Sequence, residues 1–326
     1  MTDIHDDIPT GGATPTFTSQ SSNEILMVQP THFELNAQAA NDNYFMNAPK
    51  DPSVVHQQAL EEFHTYHDAL KEKGVKVTLF QPNDGLETPD CLFPNNWFST
   101  HQPTESRTGQ EHVMVLYPMC HPNRRLERRD SIIKHVLARR ENTKLIDLSS
   151  SEQTNIFLEG TGSFVIDRVN KVAYVCVSQR SHRDLALEWA EFMGYKLAAF
   201  TSTDSAGKII YHTNVMMAIC SSIAIVCLET VEDPVEKKEL LDLLSKNHTV
   251  LQITRAQVEQ FCGNVIEVRG SDDKKYLVAS KTAYDAFTEA QRSQILNHVD
   301  DFITRDIPTI QTVGGGGIRC MIAELF

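Results

Sequence analysis

Residues 163–194, SFVIDRVNKVAYVCVSQRSHRDLALEWAEFMG, decide the architecture. Two runs rich in Val, Ile, Phe and Tyr, SFVIDR (163–168) and KVAYVCVS (171–178), are followed by an amphipathic segment that ends at Gly194. β-Branched and aromatic residues in short runs suit strands, so the stretch reads strand, strand, helix. The same order recurs elsewhere. EILMVQP (24–30), KVTLF (76–80), HVMVLYP (112–118), MMAICSSIAIVC (216–227), NVIEVRG (264–270) and YLVAS (276–280) read as strands. Residues 52–74, 233–247 and 288–299 read as helices, the first stopped by Gly74. A strand pair, a helix and another strand return roughly every 50 to 60 residues, the spacing of an internal repeat. The fold class is α/β.

The 326 residues are 41% hydrophobic, enough for one large core. No Pro- or Gly-rich linker divides the chain, so 23–326 reads as a single domain. Before it, 1–22 is rich in Thr, Ser, Gly, Pro and Asp and reads as a disordered tail that buries too little apolar surface to order itself. No apolar run approaches membrane-spanning length and the start lacks a signal peptide's basic and apolar regions, so no membrane partner and a cytoplasmic location are expected. The net charge of −13 repels polyphosphate, which argues against a nucleic-acid partner. Seven cysteines without CxxC spacing indicate neither a disulfide framework nor a zinc cluster. Cys176 and Cys227 lie in apolar runs and read as buried.

Four stretches carry polar residues where packing alone does not call for them. In NIFLEGTGSFVIDR (155–168), Glu159 ends an apolar run just before Gly-Thr-Gly. A carboxylate there suits the orienting partner of a histidine, or a strand-ending acid facing solvent. In KIIYHTNVMMAIC (208–220), His212 and Asn214 sit among apolar residues, where an unpaired polar group costs roughly 1–3 kcal/mol. On a strand the two would face the same side. DCLFPNNWFSTH (90–101) holds Asp90, Asn95 and Asn96 around a proline and, alone, reads as a turn. Arg180, between a strand and a helix, either grips a substrate carboxylate or covers surface. The charged run NRRLERR (123–129) either closes over the site or faces water, and as a charged run it reads first as a solvated face.

The last stretch is TVGGGGIRCMIAELF (312–326). A phosphate loop requires Gly-Lys-Ser/Thr before a helix, and that signal is missing. Glycines that let backbone approach a ligand and aim N–H groups at it suit a cysteine in an oxyanion-type pocket with a lowered pKa. CMIAELF reads as a core strand that places Cys320 inside the molecule. A papain-like protease is disfavoured by the nucleophile's place near the end and by the lack of a CGSCW-like segment.

In this order, Glu159, His212 and Cys320 with their neighbours resemble the guanidine- and ureido-modifying hydrolases of the amidinotransferase superfamily. That group includes arginine deiminase, dimethylarginine dimethylaminohydrolase and succinylarginine dihydrolase. Five motifs carry the resemblance: MVQPTHFELNAQAANDNYFM, LFPNNWFSTH, LEGTGSFVID, YHTNVMMAIC and GGGGIRCMIAELF. Among its subgroups the chain is similar to the citrulline utilization hydrolases. The resemblance implies the pentein fold, a five-unit α/β propeller of pseudo-fivefold ββαβ repeats with its site in the central channel.

It also implies that Cys320 attacks the ureido or guanidino carbon, that His212 protonates the leaving amine and then activates water, and that Glu159 orients His212. No metal or organic cofactor is implied. Asn96 and Asn214 stand where the arginine deiminase branch carries aspartates. Amides both donate and accept, which suits a neutral ureido group better than a cation. Asn95, Asp90, Arg180 and Gly317 complete the expected substrate-binding set. The expected reaction is citrulline to ornithine, carbon dioxide and ammonia. Arginine deiminase or succinylarginine dihydrolase-like activity is the alternative, and a catalytically silent binding protein is the alternative of another class. The expected partner is a small amino-acid substrate, and a homo-oligomer is left open.

Overall fold

In the computed structural model, which describes residues 17–326, the runs VMVL, VAYVC and IAIV are buried at every residue. Continuous apolar runs of this kind are what a strand covered on both faces needs. Each is the middle strand of a three-stranded sheet, and five such sheets make up the fold. β1 (Glu24–Val28) runs through the helix Pro52–Glu72 into β2 (Lys76–Phe80). Four complete units follow. They are β3 (Phe98–His101), β4 (Val113–Leu116) and β5 (Lys144–Asp147); then β6 (Phe164–Asp167), β7 (Val172–Cys176) and β8 (Lys196–Phe200). Next come β9 (Met217–Ile219), β10 (Ile223–Val226) and β11 (Thr249–Gln252), and finally β12 (Ile266–Arg269), β13 (Lys275–Ser280) and β14 (Asp301–Arg305). Within each unit the first two strands are antiparallel and a helical crossover returns the third parallel to the second.

The fifth sheet is made by both ends of the chain. β15 (Ala323–Glu324) pairs antiparallel with β1, setting Ile25 opposite Glu324 and Leu26 opposite Ala323. This is the five-unit pentein propeller that the resemblance implies. The core lies between neighbouring units. One apolar cluster, for example, joins Val113 and Val115 of β4 to Phe164, Val175 and the helix residues Leu185 and Trp189. That helix, Arg183–Met193, stops at Gly194 in the left-handed region, and Pro52–Glu72 starts from Asp51, whose carboxylate accepts from Ser53 N at 3.0 Å. No described helix is long and apolar enough to cross a membrane.

Three expectations are corrected. Of the expected tail, residues 1–16 lie outside the described residues, whereas Ser19–Ser22 are bound into the fold. Gln20 Nε2 donates to Ile166 O at 2.8 Å, Ser21 Oγ to Glu267 at 2.7 Å and Ser22 Oγ to Leu325 O at 2.7 Å. These polar side chains are ordered by hydrogen bonds to acceptors on three different strands or strand ends, and apolar content does not register that. The run NRRLERR is no solvated face: Arg124, Glu127 and Arg129 are buried, and Arg124 Nε donates to Glu127 at 2.9 Å. The segment CMIAELF enters as one 3-10 turn, Ile318–Met321, before the short β15.

The closure by β15 is testable. Leu325 N donates to Glu24 O at 2.9 Å, and the Leu325 side chain is buried with Leu26, Val28, Trp97 and Phe98. Leu325→Ala is expected to lower stability by about 2–5 kcal/mol, read as a fall in the urea midpoint at unchanged slope. A wild-type midpoint would show that the terminal strand does not hold the ends together.

Candidate functional site

The first strand of each unit is entered through a tight turn, and the turns crowd together on the axis. Pro94–Asn96 leads into β3, Gly160–Ser163 into β6, Thr213–Val215 into β9 and Ile318–Met321 into β15. The turn before β12 carries Asn264, whose Nδ2 donates to Asn214 O at 3.1 Å. Two or three residues before each strand stand Asn96, Gly162, Asn214, Asn264 and Cys320, so the repeat gives these five equivalent positions. His212 and Asn214 are thus not on one strand as the sequence suggested. His212 is the extended residue that precedes the turn, and Asn214 lies within it.

The structure brings Glu159, His212, Cys320, Asn96 and Asn214 together. Glu159 Oε2 lies 2.8 Å from His212 Nε2, and its Oε1 accepts from Cys120 N at 2.9 Å. Arg180 Nη1 stands 3.6 Å from the same carboxylate. Burial alone would raise the Glu159 pKa, but the Arg180 charge and the His212 hydrogen bond outweigh it and hold the carboxyl well below its usual range. An ionised Glu159 accepts the Nε2 proton, which leaves the Nδ1 lone pair of His212 available as a base. Burial depresses the His212 pKa, so the imidazole rests neutral.

Burial also pushes the Cys320 thiol up, partly offset by Asn264. The sequence had suggested a lowered value. The reason for the difference is that the sulfur is buried, and the amides of Asn264, whose Nδ2 approaches Sγ at 3.3 Å, and Asn214, at 3.6 Å, together with the Arg319 charge, offset that burial only in part. At rest Cys320 is therefore a thiol and His212 a neutral imidazole.

Asn96 Oδ1 accepts from Arg124 Nη1 at 2.9 Å, and its buried Nδ2 has no partner. A guanidinium only donates, so this contact fixes which end of the amide is which. Asn95 is buried with both side-chain polar atoms unpartnered, and its backbone O accepts from Thr161 at 3.3 Å. Asp90 Oδ2 accepts from Asn36 at 2.7 Å and lies 3.6 Å from Arg124 Nε, while its Oδ1 has no partner. Arg180 is already engaged. Its Nε donates to Asp42 at 2.9 Å, its Nη2 bonds Asp42 as well, and its guanidinium stacks 4.7 Å above the Tyr211 ring. Both edges of its fork thus serve the chain's own carboxylates, not an open subsite.

The glycines from Gly314 to Gly317 give way to the protein itself rather than to a ligand. Gly315 has φ of +61°, and a Cβ there would lie 2.5 Å from both Asn43 Nδ2 and Met46 Cγ. At Gly317 a Cβ would meet Asn264 Oδ1 at 2.6 Å, so this glycine lets the turn that carries Cys320 press against the neighbouring one.

Sequence reasoning missed Arg124, Asn264, Asp42 and Tyr211. Only Asn264 had a signal, the echo of TNVMMA in GNVIEV. Among the described residues one cluster has metal-ligand chemistry, Asp42 with Cys120 and His121.

A family model described as N,N dimethylarginine dimethylhydrolase, eukaryotic, matches residues 29–326. No curated protein matches the chain. Among solved structures, ArgZ, an arginine dihydrolase from the ornithine-ammonia cycle in cyanobacteria, superposes with a TM-score of 0.70 at 17% identity, over 93% of this chain and 40% of that one. The chain therefore spans 40% of that protein's length. The N-terminal domain of ArgZ, as a cysteine-to-serine mutant bound to substrate, gives 0.68 at 17% identity over 93% of this chain and 97% of that one. A cysteine-to-serine mutant of DDAH from Pseudomonas aeruginosa, complexed with citrulline, gives 0.62 at 16% identity over 93% and 99%.

Two outcomes check the geometry. A Cβ on Gly162 would lie 2.4 Å from Asn96 Nδ2 and 2.7 Å from His212 Nδ1. Gly162→Ala is therefore expected to lower kcat/KM by about a hundredfold or more, through displacement of the imidazole; an unchanged value would dissociate the pair from turnover. Because the Cys320 pKa is raised, alkylation of Cys320 by iodoacetamide in the ligand-free protein should accelerate only above the ordinary thiol range of about 8.5. Fast modification at neutral pH, measured on the Cys320 peptide by mass spectrometry, would contradict a resting thiol.

Proposed function

The chain belongs to the N,N-dimethylarginine dimethylhydrolase family, hydrolases of C–N bonds at guanidino or ureido carbons, and from that premise we propose that its substrate is citrulline. Citrulline and water give ornithine, carbon dioxide and ammonia. The observation that carries this reading is the unpartnered Asn96 Nδ2, whose amide is oriented by Arg124. A buried donor needs an acceptor, and leaving it without one costs about 1–3 kcal/mol. A ureido group supplies a carbonyl oxygen, whereas a guanidinium has only N–H groups. The unpartnered Asn214 Oδ1 and Asp90 Oδ1 are acceptors for the ureido N–H groups.

In this reading His212 Nδ1 takes the Cys320 proton, and Sγ bonds to the ureido carbon. The tetrahedral adduct collapses by breaking a C–N bond, with His212 returning the proton to the leaving nitrogen. Water, deprotonated by His212, then attacks the thiocarbamate carbon, and the C–S bond breaks to restore Cys320. The carbamate released loses carbon dioxide to give the second amine. Departure of either nitrogen first yields the same products. Glu159 holds the imidazole in one tautomer and balances its transient positive charge.

Arginine is the second reading, favoured by the two unpartnered acceptors, which can also accept from a guanidinium. Ammonia counting separates the two, since hydrolysis to ornithine releases one ammonia per citrulline and two per arginine. Cys320→Ala is expected to lower ornithine formation at least about a thousandfold, because nucleophile and base act as a unit. Near wild-type turnover would exclude the covalent route. Asn96→Asp exchanges the donor for an acceptor and should shift the kcat/KM ratio of citrulline to arginine about ten- to hundredfold toward arginine. An unchanged ratio would remove the argument from amide polarity.

A further inference from the structure

We propose that Asp42, Cys120 and His121 form a binding site for a borderline-soft divalent cation of the zinc class, adjoining the Glu159 and Arg180 end of the candidate site. Cys120 and His121 follow β4, and Asp42 lies on the segment between β1 and the helix Pro52–Glu72. His121 Nε2 is 3.2 Å from Asp42 Oδ1, and one ligand atom from each of the three residues lies within 4.8 Å of the others. Zinc bonds of about 2.0–2.3 Å set tetrahedral ligand atoms about 3.4–3.8 Å apart. The Asp–His edge is already that short, and drawing in the third atom requires a movement of about an ångström.

Chemistry also selects the cation. Thiolate, imidazole and one carboxylate suit zinc or cobalt, whereas magnesium and calcium want oxygen donors throughout. Among the described residues, Cys120 and His121 have no strong competing side-chain partner, and Asp42 would ligate while keeping its two contacts to Arg180. Neither the Cys120 sulfur nor His121 takes part in the proposed hydrolysis, and the sulfur's one side-chain contact is a weak one, Gln179 Nε2 at 3.7 Å. Arg180 Nε donates to Asp42 Oδ2 at 2.9 Å, the kind of outer contact that steadies a ligating carboxylate. The side chains of His121 and Asp42 are 12% and 21% exposed, which opens the cluster to solvent while keeping it ordered. Three protein ligands leave one position for water. On binding, the Cys120 S–H bond breaks, the S–metal bond forms and the proton passes to solvent.

Cobalt(II) reports on such a site directly. In the full chain carrying Cys320→Ala, which removes the nucleophile as a ligand, one equivalent of cobalt should produce a thiolate-to-cobalt charge-transfer band in the near ultraviolet. Adding Cys120→Ser should abolish the band, and His121→Ala should weaken cobalt binding at least tenfold. In the unsubstituted chain, one equivalent of zinc should slow alkylation of Cys120 at least tenfold, a readout that does not depend on any variant folding. No band, a band that survives Cys120→Ser, or alkylation of Cys120 indifferent to zinc would each overturn the proposal.

Discussion

An ionised carboxylate with no exposure to water is the constraint around which the site is arranged. Removing Glu159 from solvent costs several kcal/mol unless partners replace the lost hydration. Here Cys120 N, His212 and Arg180 do so, each from a different stretch of chain. Arg180 in turn brings Asp42 and the segment that covers the glycine run, where Asn43 Nδ2 donates to Gly315 O at 3.3 Å. Fixing one charge therefore fixes the imidazole tautomer, the cover of the site and the loop that carries Cys320.

How much of this was legible in the sequence follows from what each residue type signals. The middle strands were plain, because burial on both faces demands unbroken apolar runs such as VAYVC. Apart from KVTLF, the third strands were not. KLID of β5 is mostly exposed and follows no period, and it becomes a strand only by pairing with β4. Glu159, His212 and Cys320 were legible as polar residues set into apolar runs or beside glycines. Arg124 was hidden in a charged run that on its face belongs to solvent, yet Glu127, whose carboxyl burial pushes up to about 7, shares its guanidinium inside the protein. Asp42 was hidden because nothing local marks an acid as the partner of an arginine far along the chain.

The pseudo-fivefold repeat explains why the reacting atoms meet amides. Equivalent turns place one residue each at the axis, and three of the five carry Asn. In such a ring an asparagine's function depends on what holds its far end. Arg124 holds Asn96 by the oxygen and leaves a donor free, whereas Asn214 directs Nδ2 toward Cys320 Sγ and leaves an acceptor free. One residue type thus presents opposite polarities at two equivalent positions, the complementarity a group with both a carbonyl oxygen and N–H donors requires. A pair of carboxylates could present only acceptors.

Ring closure and the placement of Cys320 are bound into one step. Cys320 lies on the turn that leads directly into β15, and β15 exists as a strand only through its pairing with β1 at the other end of the chain. That contact has nearly the largest sequence separation the chain allows, and the loop-closure entropy opposing it is repaid only when the four other units already hold the ends near each other. Until then Cys320 has no fixed position relative to Glu159 and His212, which belong to the second and third complete units. A partly folded chain therefore carries His212 and Glu159 without the sulfur between the amides of Asn214 and Asn264. The short run after the glycines is what couples completion of the propeller to completion of the site.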